Sequence, residues 1–519
     1  MVVTPTRRCI QEFCVTAAEM QAIESQLFEA GFPVAALMEK VAGRIVAYGL
    51  RCWERDQKIG VLVGSGHNGG DALVVARELF LHGYDVTLCC PFERCKALTA
   101  DHGRYCQSLG MPWSGDWSGV EVILDQCDLI VDGLFGFGLN RPLKGAVTEA
   151  IAAINQSPIP VVSIDLPSGI HTDSGAVLGT AIKADTTLCL GLWKRAFLQE
   201  AAQPYLGQPH LIDFDIPLDA IETVLGPEPK VRRITSEQAL RSLPLQRPPT
   251  AHKYTAGQLL VIAGSRQYMG AALLTGHGAV ASGVGMVTLV VPKSLVGQAI
   301  AQLSSALIIG AEESDQGTIL ELPELDFDRY DAVACGPGLS QVHWLEQVLA
   351  VQTPLLLDAD GLNGVDLSQL CQRQGLTVMT PHPGEFRRLF PDLPSDHGGA
   401  LAAARQANAV VVLKGAKVAI ADPDGYLWLN PESTPALARG GSGDVLTGVM
   451  GGVMAQTLAR RQATSVVKLT AAALGAVWWH AQAGIYAHQR RTVLGVDPLT
   501  LARALDPALA DCFQHGLTA

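Results

Sequence analysis

"KIGVLVGSGHNGGDALVVARELFLHGYDVTLCC", Lys58 to Cys90, decides the fold. An apolar run ends in a glycine-rich turn, a helical pattern follows as far as Gly83, and a second apolar run closes at Cys89 and Cys90. Runs this apolar suit strands buried on both faces, and an intervening helix returns the chain over the sheet so that the strands lie parallel. The alternation continues outward through "CDLIVDGLFG" (127–136), "PVVSIDLPSG" (160–169) and "DTTLCLG" (185–191). A second series starts at "GQLLVIAGS" (257–265) and runs through "GMVTLVVP", "DAVACGPG", "TPLLLDADG", "LTVMTPHPGE" and "AVVVLKG" (409–415). The two series share no convincing period, so two independent α/β domains are expected rather than repeats. Between them "IPLDAIETVLGPEPKVRRITSEQALRSLPLQRPPT" collects six prolines and mixed charges. That composition predicts domains at 1–225 and 251–519 joined by a linker at 226–250.

A chain of 519 residues can bury two cores, and 48% apolar with 17% charged residues suits compact domains. Fifty acids against 38 bases leave a net charge of −12, which argues against an extended nucleic-acid footprint. The start, "MVVTPTRRCIQEFCVTAAEM", lacks the apolar core of a signal peptide, and "LTAAALGAVWWHAQAGIYAH" is broken by His480 and Gln482 before it reaches a clean membrane span. A cytoplasmic protein with no membrane partner is expected. Nine of the twelve cysteines precede residue 190, and only Cys89, Cys90 and Cys95 cluster. No second pair at zinc spacing answers them, so buried reduced thiols are the reading.

Gly64-x-Gly66-x-x-Gly69 follows a strand and opens a helix, as a dinucleotide-binding turn would. Two details oppose a dehydrogenase. The next strand ends without the acid that binds a ribose hydroxyl, and Asn68 and Asp71 stand where a pyrophosphate would meet a carboxylate. A plain glycine-rich turn remains the alternative. Two other loops belong at strand carboxyl ends, where ligands of open parallel sheets gather: one carries Asp132, Gly136, Gly138 and Arg141, the other Asp165 and Ser168. The glycines and arginine suit a phosphate. Asn68, Asp132 and Ser168 offer oxygens to a cation, and Asp165 is left as an acid–base candidate. Helix capping or loop bonding is the simpler role for either aspartate.

"GSGHNGGDA", "VDGLFGFGL" and "SIDLPSGIHTDSG" together resemble the NAD(P)H-hydrate epimerase family. The resemblance implies hydrate binding by His67, Asn68, Gly69, Gly70, Asp71, Gly136, Phe137, Gly138, Leu139, Asn140, Arg141 and Asp165. It also implies K+ at Asn68, Asp132 and Ser168. The family's first loop usually reads Asn-Asn-Gly-Gly-Asp-Gly, and His67 and Ala72 depart from it.

In the second half, "LARGGSGDVLTG" (437–448) places three glycines within four positions and then Asp444, ahead of an apolar helix. A glycine turn lets backbone N–H groups approach a terminal phosphate closely, and a helix N-terminus favours the anion. A carboxylate beside that phosphate can take the proton of a hydroxyl attacking phosphorus, the layout of hydroxyl phosphorylation. The simpler reading of Asp444 is a helix-stabilising acid. His-Lys-x-x-x-Gly, Gly-Pro-Gly, Asp-Ala-Asp-x-Leu-Asn, Thr-Pro-His-Pro-Gly-Glu, Leu-Lys-Gly and Gly-Gly-x-Gly-Asp together resemble the NAD(P)H-hydrate dehydratase branch of the ribokinase-like superfamily. The sugar-kinase magnesium pattern Asn-x-x-Glu is absent after residue 250.

The combined resemblance implies two three-layer αβα domains, a Rossmann-like epimerase domain and a ribokinase-like one. For the second it implies hydrate contacts at Ala271, Gly338, His382 and Asp444, and nucleotide contacts at Lys414, Gly415, Ala416, Lys417, Val418 and Gly443. Mg2+, ADP as phosphoryl donor, the hydrates of NADH and NADPH as substrates, and a homo-oligomer are further expectations. Val418 stands where a threonine is usual and Thr434 where an asparagine is common. A vitamin or sugar kinase with an accessory domain, a nucleotide-sensing scaffold and a dehydrogenase are the rival readings.

Overall fold

The computed structural model describes residues 5–459 and 464–515; the first four residues of the N-terminal stretch read above lie outside it. The chain divides into two compact units, Met1–Pro229 and Lys230–Ala519.

The first unit contains β1 (Cys14–Val15), β2 (Lys58–Val63), β3 (Asp85–Cys89), β4 (Trp113–Ser114), β5 (Leu129–Gly133), β6 (Val161–Ile164), β7 (Thr186–Leu190), β8 (Trp193–Lys194) and β9 (Gln208–Ile212). Seven of them form one sheet in the order β4-β3-β2-β5-β6-β7-β9, every pair parallel. Both faces are covered, as the continuous apolar runs require. Along β2, Ile59, Val61 and Val63 join one core with the helices Ala17–Glu29, Val34–Cys52 and His67–Leu81, while Leu62 joins another with Ile123, Val147 and Ile151. A separate pair, β1 with β8, aligns Val15 with Lys194.

The glycines of the first turn serve packing. A side chain at Gly64 would meet the Leu134 carbonyl at 1.8 Å, and one at Gly69 the Gly64 carbonyl at 1.9 Å. The fingerprint-like spacing thus reflects a close approach of strand, turn and helix.

The second unit contains β10 (Val231–Arg233), β11 (Gln258–Ile262), β12 (Met286–Pro292), β13 (Leu307–Glu313), β14 (Ile319–Glu321), β15 (Ala332–Cys335), β16 (Leu355–Leu357), β17 (Thr377–Met379), β18 (Val410–Leu413), β19 (Ala419–Ala421) and β20 (Leu427–Leu429). Their order is β10-β20-β19-β18-β17-β16-β15-β11-β12-β13-β14. Only the pairs β13–β14, β18–β19 and β19–β20 are antiparallel. The core joins this sheet to the apolar helices Ser442–Leu458 and Val466–Arg490.

The expected linker needs correction. Within 226–250, β10 adds a parallel edge strand to β20 and the Ile234 N–H donates to the Leu429 carbonyl. Helix Ser236–Ser242 follows behind a Thr235–Gln238 capping box, and Ala239 and Leu243 are buried in the second unit's core. Prolines mark only the flanks, so composition hid a three-residue strand and a short helix. Among the described residues no helix is long and apolar enough to cross a membrane. Cys89 and Cys90 are buried, and burial pushes both thiols up to about 12.

Candidate active sites

In the first unit a cavity of about 1260 Å3 opens at the strand ends. His67, Asn68, Asp71, Gly136, Phe137, Gly138, Leu139, Asn140, Arg141 and Asp165 all line it. Gly69 and Gly70 do not. They are buried in the first turn of helix His67–Leu81, Gly69 against Gly64 and Gly70 against Met38.

Asp165 follows β6 with φ +69°, a left-handed conformation that costs a non-glycine residue about 1–3 kcal/mol. The strained backbone presents its carboxylate to the cavity. The Phe137 N–H donates to Oδ2 at 2.8 Å, and Lys194 Nζ lies 2.5 Å from Oδ1. Lys194 is wholly buried, and its ammonium also donates to the Leu190 carbonyl. Burial disfavours that charge, but Asp165, Cys189 and Glu24 outweigh it and raise the amine above its ordinary value. Two further acids face the same space. Glu24 is pushed up to about 7, by burial first and by Asp165, with Lys194 opposing. Asp71 is raised well above the carboxylate range by burial, then by Glu24 and Asp165. His67 is lowered by burial and by Lys96.

Asp132 lies beneath the cavity, fully buried at the end of β5. It accepts from the Ser168 hydroxyl at 2.6 Å, the Ser168 N–H at 2.9 Å, the Ser163 hydroxyl at 2.8 Å and the Leu134 N–H at 3.2 Å. Burial nevertheless raises it above its ordinary value. Asn68 supplies the observation that bears on a cation: its Nδ2 is buried with no hydrogen-bond partner. Exchanging the amide's nitrogen and oxygen would turn an oxygen to that position, and such flips are assigned from partners. The Ser168 hydroxyl and the Asp132 carboxylate, the other two groups the resemblance implies for a cation, bond each other.

In the second unit Gln267, Tyr268, Ala271, Gly338, Ser340, Asp360 and Asp444 surround a pocket of about 550 Å3. Asp444 sits in the first turn of helix Ser442–Leu458, whose cap is Gly441 at φ +95° with no side-chain bond. The Ser442 N–H donates to the Arg439 carbonyl, and the Gly443 and Asp444 N–H groups are left for an anion. Asp444 is pushed up to about 6, by burial first and by the Asp358 carboxylate, with Lys414 opposing. Asp358, buried at the end of β16, accepts from Lys414 Nζ at 2.6 Å, the Thr380 hydroxyl at 2.8 Å and the Thr447 hydroxyl at 2.7 Å. Burial opposes its ionisation, but Lys414 and the two hydroxyls hold it below the ordinary carboxylate value. Lys414 Nζ would lie 3.7 Å from a Cβ at Gly443, so the lysine and the glycine turn meet.

Behind the turn, His480 Nε2 donates to the Ser442 carbonyl at 3.0 Å, and burial lowers the imidazole to about 4, so it works as a neutral donor. The other expected nucleotide residues spread out. Lys417 donates to the Pro431 carbonyl, and Val418 packs against the core. Gly415 and Ala416 lie in the turn between β18 and β19. His382 does not line the pocket: it caps helix Pro383–Leu389, its Nδ1 accepting from the Gly384 and Glu385 N–H groups. Thr434 likewise caps a short turn and bonds His488.

Glu24, Lys194 and His480 were given no role by the sequence reading, and Asp358 and Asp360 entered it only within Asp-Ala-Asp-x-Leu-Asn. Asp358 carried a usable signal, because "LLLDADG" and "VVLKG" end parallel strands two places apart in the sheet and so bring a carboxylate and a lysine together.

Two mostly parallel sheets, each with a lysine–aspartate pair beside a strand-end cavity, define a two-site α/β enzyme. A family model described as NAD(P)H-hydrate dehydratase matches residues 259–507, and one described as YjeF-related protein N-terminus matches residues 34–196. The bifunctional NAD(P)H-hydrate repair enzyme of Thermosynechococcus vestitus is 51% identical over 95% of this chain and 97% of its own. That of Synechocystis sp. is 52% identical over 95% of this chain and 94% of its own. That of Gloeobacter violaceus is 46% identical over 96% and 97%. The chain belongs to the bifunctional NAD(P)H-hydrate repair enzyme family.

Proposed function

We propose that the first unit interconverts the R and S forms of hydrated NADH and NADPH, and that the second dehydrates the S form at the expense of ADP, giving AMP and phosphate. The observation that carries the dehydratase half is Asp444: a half-buried carboxylate, raised to about 6, between the glycine turn and a pocket shared with Ala271 and Gly338. Such a group is a carboxylate at neutral pH and basic enough to accept a hydroxyl proton. Hydroxide is a poor leaving group. As Asp444 takes the proton, the substrate oxygen attacks the terminal phosphorus of ADP and AMP departs. Phosphate then leaves with a proton from the adjacent ring carbon, restoring the dihydropyridine. The glycine turn, with Lys414 beside it, holds the phosphoryl in line and offsets its charge.

In the first unit Asp165 is the proton shuttle, with His67–Asp71 and Gly136–Arg141 around the hydrate. Asn68, Asp132 and Ser168 would hold K+, which ties the three loops together. Asp360 faces the pocket where Mg2+ would neutralise the ADP phosphates, an arrangement in keeping with an ion that binds through one carboxylate plus phosphate oxygens. Cytoplasmic location and self-association complete the reading. The kinase alternative predicts a stable phosphorylated product. Incubating the purified protein with the S hydrate and ADP tests this directly: near-ultraviolet absorbance should return with one phosphate released per nicotinamide restored. A persistent phosphate ester, or no absorbance, would refute it.

A further inference from the structure

We propose, resting on the epimerase reading above, that Lys194 is a positioning residue for epimerisation: its ammonium holds the Asp165 carboxylate in place, aimed at the substrate. The geometry behind this is local and specific. Nζ lies 2.5 Å from Asp165 Oδ1, Oδ2 is fixed by the Phe137 N–H, and the ammonium is 5.7 Å from the centre of the Phe137 ring. Both residues line the cavity, so the pair stands at the reaction space rather than in the apolar core.

The ammonium also donates to the Leu190 carbonyl, which fixes its place beside Asp165. The surroundings are acidic. Glu24 from helix Ala17–Glu29, Asp71 from helix His67–Leu81 and Cys189 of β7 act on the pair. The other cations of the cavity, Lys96, Arg141 and Lys144, are exposed. Among the described residues lining the cavity, Lys194 is therefore the buried cation, beside Asp165, Glu24 and Asp71. Its place depends on the β1–β8 pairing, which sets Val15 opposite Lys194.

Lys194→Met removes the group beside Oδ1 and leaves the carboxylate held by the Phe137 N–H alone. In the full chain that substitution should lower epimerase kcat about tenfold or more with little change in KM, because a misplaced catalytic group costs rate rather than binding, and dehydration of the S hydrate should be unchanged. Lys194→Arg, which keeps the charge and N–H donors, should recover most of the lost kcat. Lys194→Gln repeats the reading should the Lys194→Met chain fail to fold. No fall in kcat, a rise in KM that accounts for the whole loss, or a loss as deep in Lys194→Arg as in Lys194→Met would overturn the proposal. Asp165→Asn separates the two levels: full epimerisation by that chain sinks the Asp165 assignment, whereas its inactivity beside an unchanged kcat in Lys194→Met sinks the role of Lys194 alone.

Discussion

Replacing Asp444 by Asn should remove dehydration and at the same time strengthen the fold. The carboxylate is raised from 3.8 to about 6 by burial and by Asp358. A folded value above the unfolded one means that the favourable contribution is complete below about 4. It is lost as pH rises through about 6, and is absent at pH 7. A shift of that size corresponds to about 3 kcal/mol carried as a cost at neutral pH, and relaxation around a half-buried group brings the expected gain to about 1–3 kcal/mol. In a unit this large each kcal/mol moves the melting temperature by about 2–4 °C. Asp444→Asn should therefore raise the second unit's transition by several degrees at pH 7, and by little near pH 4. Loss of a general base should cut dehydration by about 10²–10⁴-fold. The assay is recovery of near-ultraviolet absorbance from S hydrate and ADP, run beside calorimetry at both pH values. The unaltered chain should lose activity tenfold per pH unit below about 6. An Asp444→Asn chain that keeps a tenth of the activity, or melts lower at pH 7, would contradict the role of Asp444 as a buried base.

Two other substitutions probe the same site. Gly443→Ala has room, since its nearest neighbour would be Lys414 Nζ at 3.7 Å, so stability should hold while the bulk beside the phosphate raises the KM for ADP about tenfold or more; an unchanged KM in titrations would contradict the phosphate cradle. Lys414→Met leaves Asp358 buried without its cation, although Thr380 and Thr447 still donate to it, and should cost about 3 kcal/mol by denaturant unfolding; a loss under about 1 kcal/mol would contradict the pairing.

The repeated pattern of apolar run, turn and helix made the parallel sheets legible, because strands covered on both faces must be apolar throughout. The strand-end loops with Asp132 and Asp165 were legible for the same reason, because topology gathers them wherever the strands are right, and Asp444 was legible from the glycine turn ahead of its apolar helix. Lys194 was not. It sits in "LGLWKRAF" with no helpful spacing, and its partner is chosen by tertiary contacts and by pairing with a segment near residue 15. The short strand β10 was hidden by its basic sequence, Val231-Arg232-Arg233, which a sheet edge tolerates and an interior strand would not. Gly64 and Gly69 show the converse error: a ligand-like spacing whose physical cause is backbone packing against Leu134 and the turn itself.

If one chain holds two separate chemistries, an equal mixture of R and S hydrates with excess ADP will separate them. The unaltered chain should restore all the absorbance, Asp165→Asn about half at once with the rest recovered only slowly, and Asp444→Asn none. Full rapid recovery by Asp165→Asn, or recovery of any half by Asp444→Asn, would contradict that separation.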